Sequence, residues 1–145
     1  MKRIMRLGIA VLFISVILSG CHRDDKLKLK KEIKEINIYQ SNEFKKESSD
    51  LIVSSSDIEN TDIFETVKDI ISDASKREGM VQMTEPKYDL EIIYENNTTK
   101  ELYLWLMEVE HGIGSLMEVE DTHVVYHFSE ELNAKLFDLI ESTKD

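Results

Sequence analysis

The densest apolar run beyond the N-terminal leader spans residues 100–109, Lys-Glu-Leu-Tyr-Leu-Trp-Leu-Met-Glu-Val. Read with a strand's period of two, Tyr103, Trp105, Met107 and Val109 share one face and Leu102, Leu104 and Leu106 the other. Two apolar faces predict an inner strand covered on both sides. Tyr103 and Trp105 are the expected core aromatics, with Trp105, the only tryptophan, between the sheet and a helix. Around this run the alternation repeats. Residues 32–40 place Ile36 and Ile38 against Asn37 and Tyr39, and predict a first strand. Leu51-Ile52-Val53 is a very short further candidate, set off by polar residues 41–49 and by Ser54-Ser55-Ser56. Residues 87–95 alternate Tyr88, Leu90, Ile92 and Tyr94 with Asp89, Glu91, Ile93 and Glu95. Asn96-Asn97-Thr98-Thr99 is turn chemistry that joins this strand to the next as a hairpin. Residues 116–120, and then 122–128 with Val124, Tyr126 and Phe128 on one face, complete four C-terminal strands.

Helical periodicity occurs twice. Ile63, Phe64, Val67, Ile70, Ile71 and Ala74 form one stripe, predicting a helix over residues 61–78. Asn60, Thr61 and Asp62 can cap its start, Asp62 with Glu65 resembling a capping box. Lys76, Arg77 and Gly79 suit its end. Leu132, Leu136, Phe137, Leu139 and Ile140 form the second stripe behind Ser129, a cap candidate. The expected fold is therefore α+β: a mainly antiparallel sheet, a meander of about four C-terminal strands plus one N-terminal strand, with two helices packed on it. Leu-Met-Glu-Val-Glu occurs at both 106–110 and 116–120, too short a match for a repeat architecture.

The first twenty residues read differently. Lys2, Arg3 and Arg6 precede an apolar run of twelve residues, 7–18, well short of the ~20 a membrane-spanning helix needs. This is the pattern of a secretory leader. It ends in Leu18-Ser19-Gly20-Cys21, which resembles the lipobox of bacterial lipoproteins. That resemblance implies cleavage before Cys21 and a diacylglycerol thioether on its sulfur; the competing reading is an ordinary leader with a chance cysteine. No second cysteine remains for a disulfide. The expected organisation is a lipoprotein signal peptide over 1–20, a lipidated tether over 21–31 and a single α+β domain over 32–145. Two acyl chains, at about 0.8 kcal/mol per buried methylene, would hold the protein on a membrane without spanning it.

Charge sharpens this picture. The chain holds 18 Lys+Arg and 29 Asp+Glu. Three basic residues lie in the leader, leaving 15 against 29, a net −14. Residues 22–34 carry a net +3 and residues 35–145 a net −17, so a basic stem precedes an acidic body. An acidic body is repelled by phosphate backbones, and nucleic acid is not an expected partner. The basic stem is drawn to an anionic bilayer surface by roughly 1 kcal/mol per basic residue. The alternative is a solubilising balance with no directed role.

Several short motifs together resemble the YhfM-like domain of small lipoproteins of Bacillus-type bacteria. They are the lipobox and, within residues 33–142, the helix ending near Gly79, Pro86-Lys87-Tyr88, Tyr103-Leu104-Trp105-Leu106, Gly114 and the approach from Tyr126 to Ser129. The resemblance implies a lipoprotein at the extracytoplasmic face of a Gram-positive cell membrane. It assigns no activity and no functional residue beyond Cys21.

Candidate chemistry is sparse. His and carboxylates near one another can hold a transition metal. Glu108, Glu110, His111, Glu118 and His123 form the one such candidate, on the expectation that the two glutamate pairs face each other across a hairpin. A solvated polar edge, also including His127, is the plainer reading. No HExxH, Gly-x-Ser-x-Gly, phosphate loop or EF-hand loop occurs. Tyr88, Tyr94, Tyr103, Trp105 and Tyr126 can line a cleft, or serve as cross-strand core partners. No cofactor is implied. The expected function is a non-enzymatic, membrane-anchored lipoprotein, a binding or interaction module for an envelope protein; the alternative is a small-molecule or metal-binding lipoprotein assisting a transporter. The sequence leaves the oligomeric state open.

Overall fold

The computed structural model describes residues 25–29, 31–42, 51–56, 61–79 and 82–144. The leader, Cys21, Asn60 and most of the polar stretch 41–49 lie outside the described residues. The elements run β1 (Ile33–Gln40), β2 (Leu51–Ser54), α1 (Thr61–Asp73), β3 (Ser75–Lys76), β4 (Tyr88–Tyr94), β5 (Thr99–Trp105), β6 (Gly114–Glu118), β7 (Asp121–Phe128) and α2 (Glu130–Ser142). All seven strands form one sheet in the order β2-β1-β4-β5-β6-β7-β3, each pair antiparallel.

This corrects the expected sheet of about four C-terminal strands plus one. The N-terminal strand enters the sheet beside β4, paired Ile36↔Ile92 and Ile38↔Leu90, and brings β2 with it as a hairpin partner. The far edge is closed by β3, where Ser75 and Lys76 pair with His127 and Tyr126. The helix expected to reach residue 78 therefore ends at Asp73. The apolar stripe ends at Ala74, which is fully buried. Beyond it the backbone bonds to β7 instead of continuing the helix, with Arg77 N–H donating to the Val125 carbonyl at 2.8 Å. Lys76 and Arg77 thus belong to a sheet edge, not to a helix C-terminus.

Alternation sorts the two sheet faces. Ile36, Ile38, Tyr88, Leu90, Ile92, Leu102, Leu104 and Leu116 point to the face covered by both helices, against Ile63, Val67, Ile70, Ile71, Leu136 and Ile140. Leu27 is buried in the same core and Lys26 bridges Ser75, so folded chain extends back into the segment expected to be a tether. Tyr103, Trp105, Met117 and Val125 form a smaller cluster on the opposite face, with Met83 and Val119 packed against it. Trp105 is therefore not between sheet and helix. Its cover is residues 83–85, where the Thr84 and Glu85 carbonyls accept its Nε1–H at 3.1 and 3.2 Å.

The strand expected over 100–109 stops at Trp105. Residues 106–113 form a loop back to β6, leaving Met107 and Val109 exposed. Asn133 of α2, buried, holds this loop: its Oδ1 accepts the Met107 N–H and its Nδ2 donates to the Met107 carbonyl, both at 2.9 Å. Gly114 lies opposite Phe128, and a Cβ there would fall inside the phenyl ring.

Candidate functional site: a cleft beside Trp105

The register of three strands builds the candidate site. Trp105 pairs with Ser115, and Ser115 with His127, which in turn pairs with Ser75 of β3. Directly cross-strand residues share a face. Trp105, Ser115 and His127 therefore stand in one row on the face opposite the helices, and Arg77 reaches the end of the row from just beyond β3. The 106–113 loop on one side and residues 82–84 on the other wall the row into an open cleft of about 450 Å³.

Its polar centre is a contact chain. Arg77 Nη1 lies 3.4 Å from His127 Nε2, and Ser115 Oγ lies 3.3 Å from His127 Nδ1. A guanidinium only donates. Nε2 must therefore accept, which assigns the ring proton to Nδ1, and Nδ1–H then donates to Ser115 Oγ. Burial, and secondly the Arg77 charge, push the imidazole below its usual pKa, so the neutral ring is the favoured form. In this tautomer Ser115 faces a protonated ring nitrogen rather than a base. Ser115 and Arg77 both line the cleft and bring donor groups to it.

The walls are apolar. Met83, Trp105, Met107, Val109 and Ile113 line them, and Met107, Val109 and Ile113 are about half exposed. Thioether side chains adapt to irregular shapes. No aspartate or glutamate is among the described lining residues, although 29 of 145 residues in the chain are acidic. His111 at the rim adopts a left-handed backbone (φ 64°) and its Nδ1 lies 2.8 Å from Glu130 Oε2, which ties the loop to α2.

The expected metal ligands are not brought together. Glu108 contacts Lys87, and Glu118, at the other end of the β5–β6 pair, lies 2.8 Å from Lys100. Glu110 is 3.9 Å from His111, whose closer partner is Glu130. His123 stands beside the β6–β7 turn. The hairpin expected to oppose the two glutamate pairs does not form in that register, because residues 106–113 are loop and Glu118 pairs with Leu102. Among the described residues, no group of three or more His, Cys, Asp or Glu is placed to hold a metal ion. Tyr103 is packed as expected of a core aromatic, in the smaller cluster, and its hydroxyl is pushed up in pKa by burial, then by Asp89 and Glu101. Cys21 lies outside the described residues.

Sequence reading passed over Arg77 and Ser115 and left His127 on a solvated edge. The signal that links them is register, which appears only once β3 is known to pair with β7.

The model of the YhfM protein family matches residues 29–145, and the chain belongs to that family. No curated protein matches it. Among solved structures, the chain is similar to a thioesterase-like protein from Clostridium sporogenes ATCC 15579, at 21% identity and a TM-score of 0.47, over 74% of this chain and 96% of that one. The expected non-enzymatic interaction module, with a transporter-assisting lipoprotein as its alternative, stands corrected to membership of the YhfM family, and the thioesterase-like description belongs to the similar protein. A likeness of this degree transfers no activity, substrate or site residue to this chain.

Proposed function

We propose that this YhfM family member is an exported protein held by lipid on Cys21 at the outer face of the cytoplasmic membrane, and that it works through the cleft beside Trp105. The observation that carries the functional half is the cleft itself: adaptable apolar walls around a cationic and hydroxyl centre, with no carboxylate among the described lining residues, in an acidic protein. Ligand sites combine an apolar lining with a few convergent polar groups in about 300–1,000 Å³, and this cleft has both features. The anchoring half is supported by the basic start, the twelve-residue apolar run and the sole cysteine behind Ser19-Gly20. Among the described residues no helix is long and apolar enough to cross a membrane.

Two measurements test the reading separately. For the anchor, Cys21→Ala is expected to release the protein from the membrane fraction or to leave the leader uncleaved; a variant processed and retained like the parent removes the anchor. For the cleft, small amphiphiles are expected to change Trp105 emission saturably. Met107→Glu, which puts a carboxylate on the exposed wall, is expected to alter that response. If no amphiphile of any charge produces a saturable change, the cleft is not a working site.

A further inference from the structure

Resting on the cleft reading just given, we infer that its ligand is a single-chain amphiphilic anion taken at the membrane surface. The head group belongs at the Arg77–His127–Ser115 end. Arg77 supplies the positive charge and forked donors that match a carboxylate or phosphate. The neutral His127 ring, with its Nδ1–H turned to Ser115 Oγ, leaves the serine O–H to donate a further hydrogen bond. Among the described lining residues no carboxylate opposes an anion. A cationic head would meet the Arg77 charge with nothing among the described lining residues to compensate it. The chain of the ligand lies across Met83, Trp105, Met107 and Ile113. Trp105 cannot use its N–H there, since Thr84 and Glu85 hold it. That wall offers apolar contact only.

Covalent reach places the source of the ligand at the membrane. A second recess shares Ile113 and His127 with the cleft and is also lined by Lys26. Lys26 is fixed there by its bridge to Ser75 and by its Nζ donating to the Asp73 carbonyl at 2.7 Å. Cys21 is five residues earlier, so a lipid on Cys21 attaches within about 18 Å of Lys26 at full extension. The recess also carries Asp73 and Glu130, but the first accepts from the Ser129 N–H and the second is held by His111. An anchored domain therefore keeps this end of the sheet close to the bilayer surface, where single-chain anions reside.

The experiment uses the full chain in nanodiscs of zwitterionic lipid, with Trp105, the only tryptophan, as the reporter. Octanoate, octylammonium and octanol are titrated below their aggregation concentrations. Octanoate is expected to shift the emission saturably and to bind roughly tenfold more tightly than either other compound, the scale of one charge-assisted hydrogen bond. Arg77→Gln is expected to erase that preference, Arg77→Lys to retain part of it, and both to keep the circular dichroism of the parent. Because partition into the nanodisc is the same for every variant, a preference that survives Arg77→Gln overturns the inference. Octylammonium or octanol binding as tightly as octanoate also overturns it, while leaving the cleft reading intact. No saturable response to any of the three ends both.

Discussion

At the scale of single residues, His127 joins fold to site. It pairs Ser115 with Ser75 across two strands and receives Arg77 on one nitrogen while facing the serine with the other. Its pKa is lowered by burial first and by Arg77 second. The unfolded chain therefore takes up a proton on this ring more readily than the folded one. Stability that is fully present above the ordinary imidazole value of 6.5 is lost as pH falls below it, until the depressed folded value is passed. His127→Gln is expected to flatten this part of the stability–pH curve, measured by urea melts from pH 8 to pH 5. An unchanged slope in the variant would mean that the ring is not held neutral. Sequence alone could not supply this. A histidine at alternate spacing from His123 looks like polar edge until the strand beyond it is known.

At the scale of elements, patterns with strong periodicity were legible and short or mixed ones were not. The alternation in β4 and the stripes of α1 and α2 follow from apolar residues that all face one core. The end of α1 was not legible, because Ser75 and Lys76 carry no apolar signal and their strand state is imposed by β7. The end of β5 is hidden in the sequence for the opposite reason. Leu106 continues the pattern and is buried, yet the chain has already left the sheet, and Met107 takes its backbone partners from Asn133 rather than from a neighbouring strand. Asn133 thus substitutes for a strand edge. Asn133→Ala is expected to cost about 1–3 kcal/mol, the range for a buried polar arrangement left incomplete. It should also speed amide exchange at Met107 ahead of the sheet. Equal protection of that amide in both proteins would show that the loop does not depend on α2.

At the scale of the whole molecule, the two faces of the sheet have different work. The helix-covered face holds nearly all the large buried side chains and accounts for the fold. The other holds a small cluster, a strap at residues 82–85 and the cleft, and so has room for a ligand. The sequence showed both faces of residues 100–109 to be apolar, but not that only one would meet helices. Strand order decides that, and strand order depends on where β1, β2 and β3 insert. The acidity of the body was legible from composition. The patch within it, carboxylate-free among the described residues, was not, since Arg77, Ser115 and His127 are separated by 38 and 12 residues along the chain. The central claim is that this patch, near the expected lipid anchor, is where a membrane-surface anion binds. Its most direct test is photo-crosslinking of the full chain in membranes with a diazirine-bearing fatty acid, followed by mapping the labelled residues by mass spectrometry. Label concentrated on Met83, Met107 and Ile113, and reduced by Arg77→Gln, is the predicted result. Label at the open recess beside Leu27 and Ile71 on the helix side, or spread evenly over the surface, would contradict it.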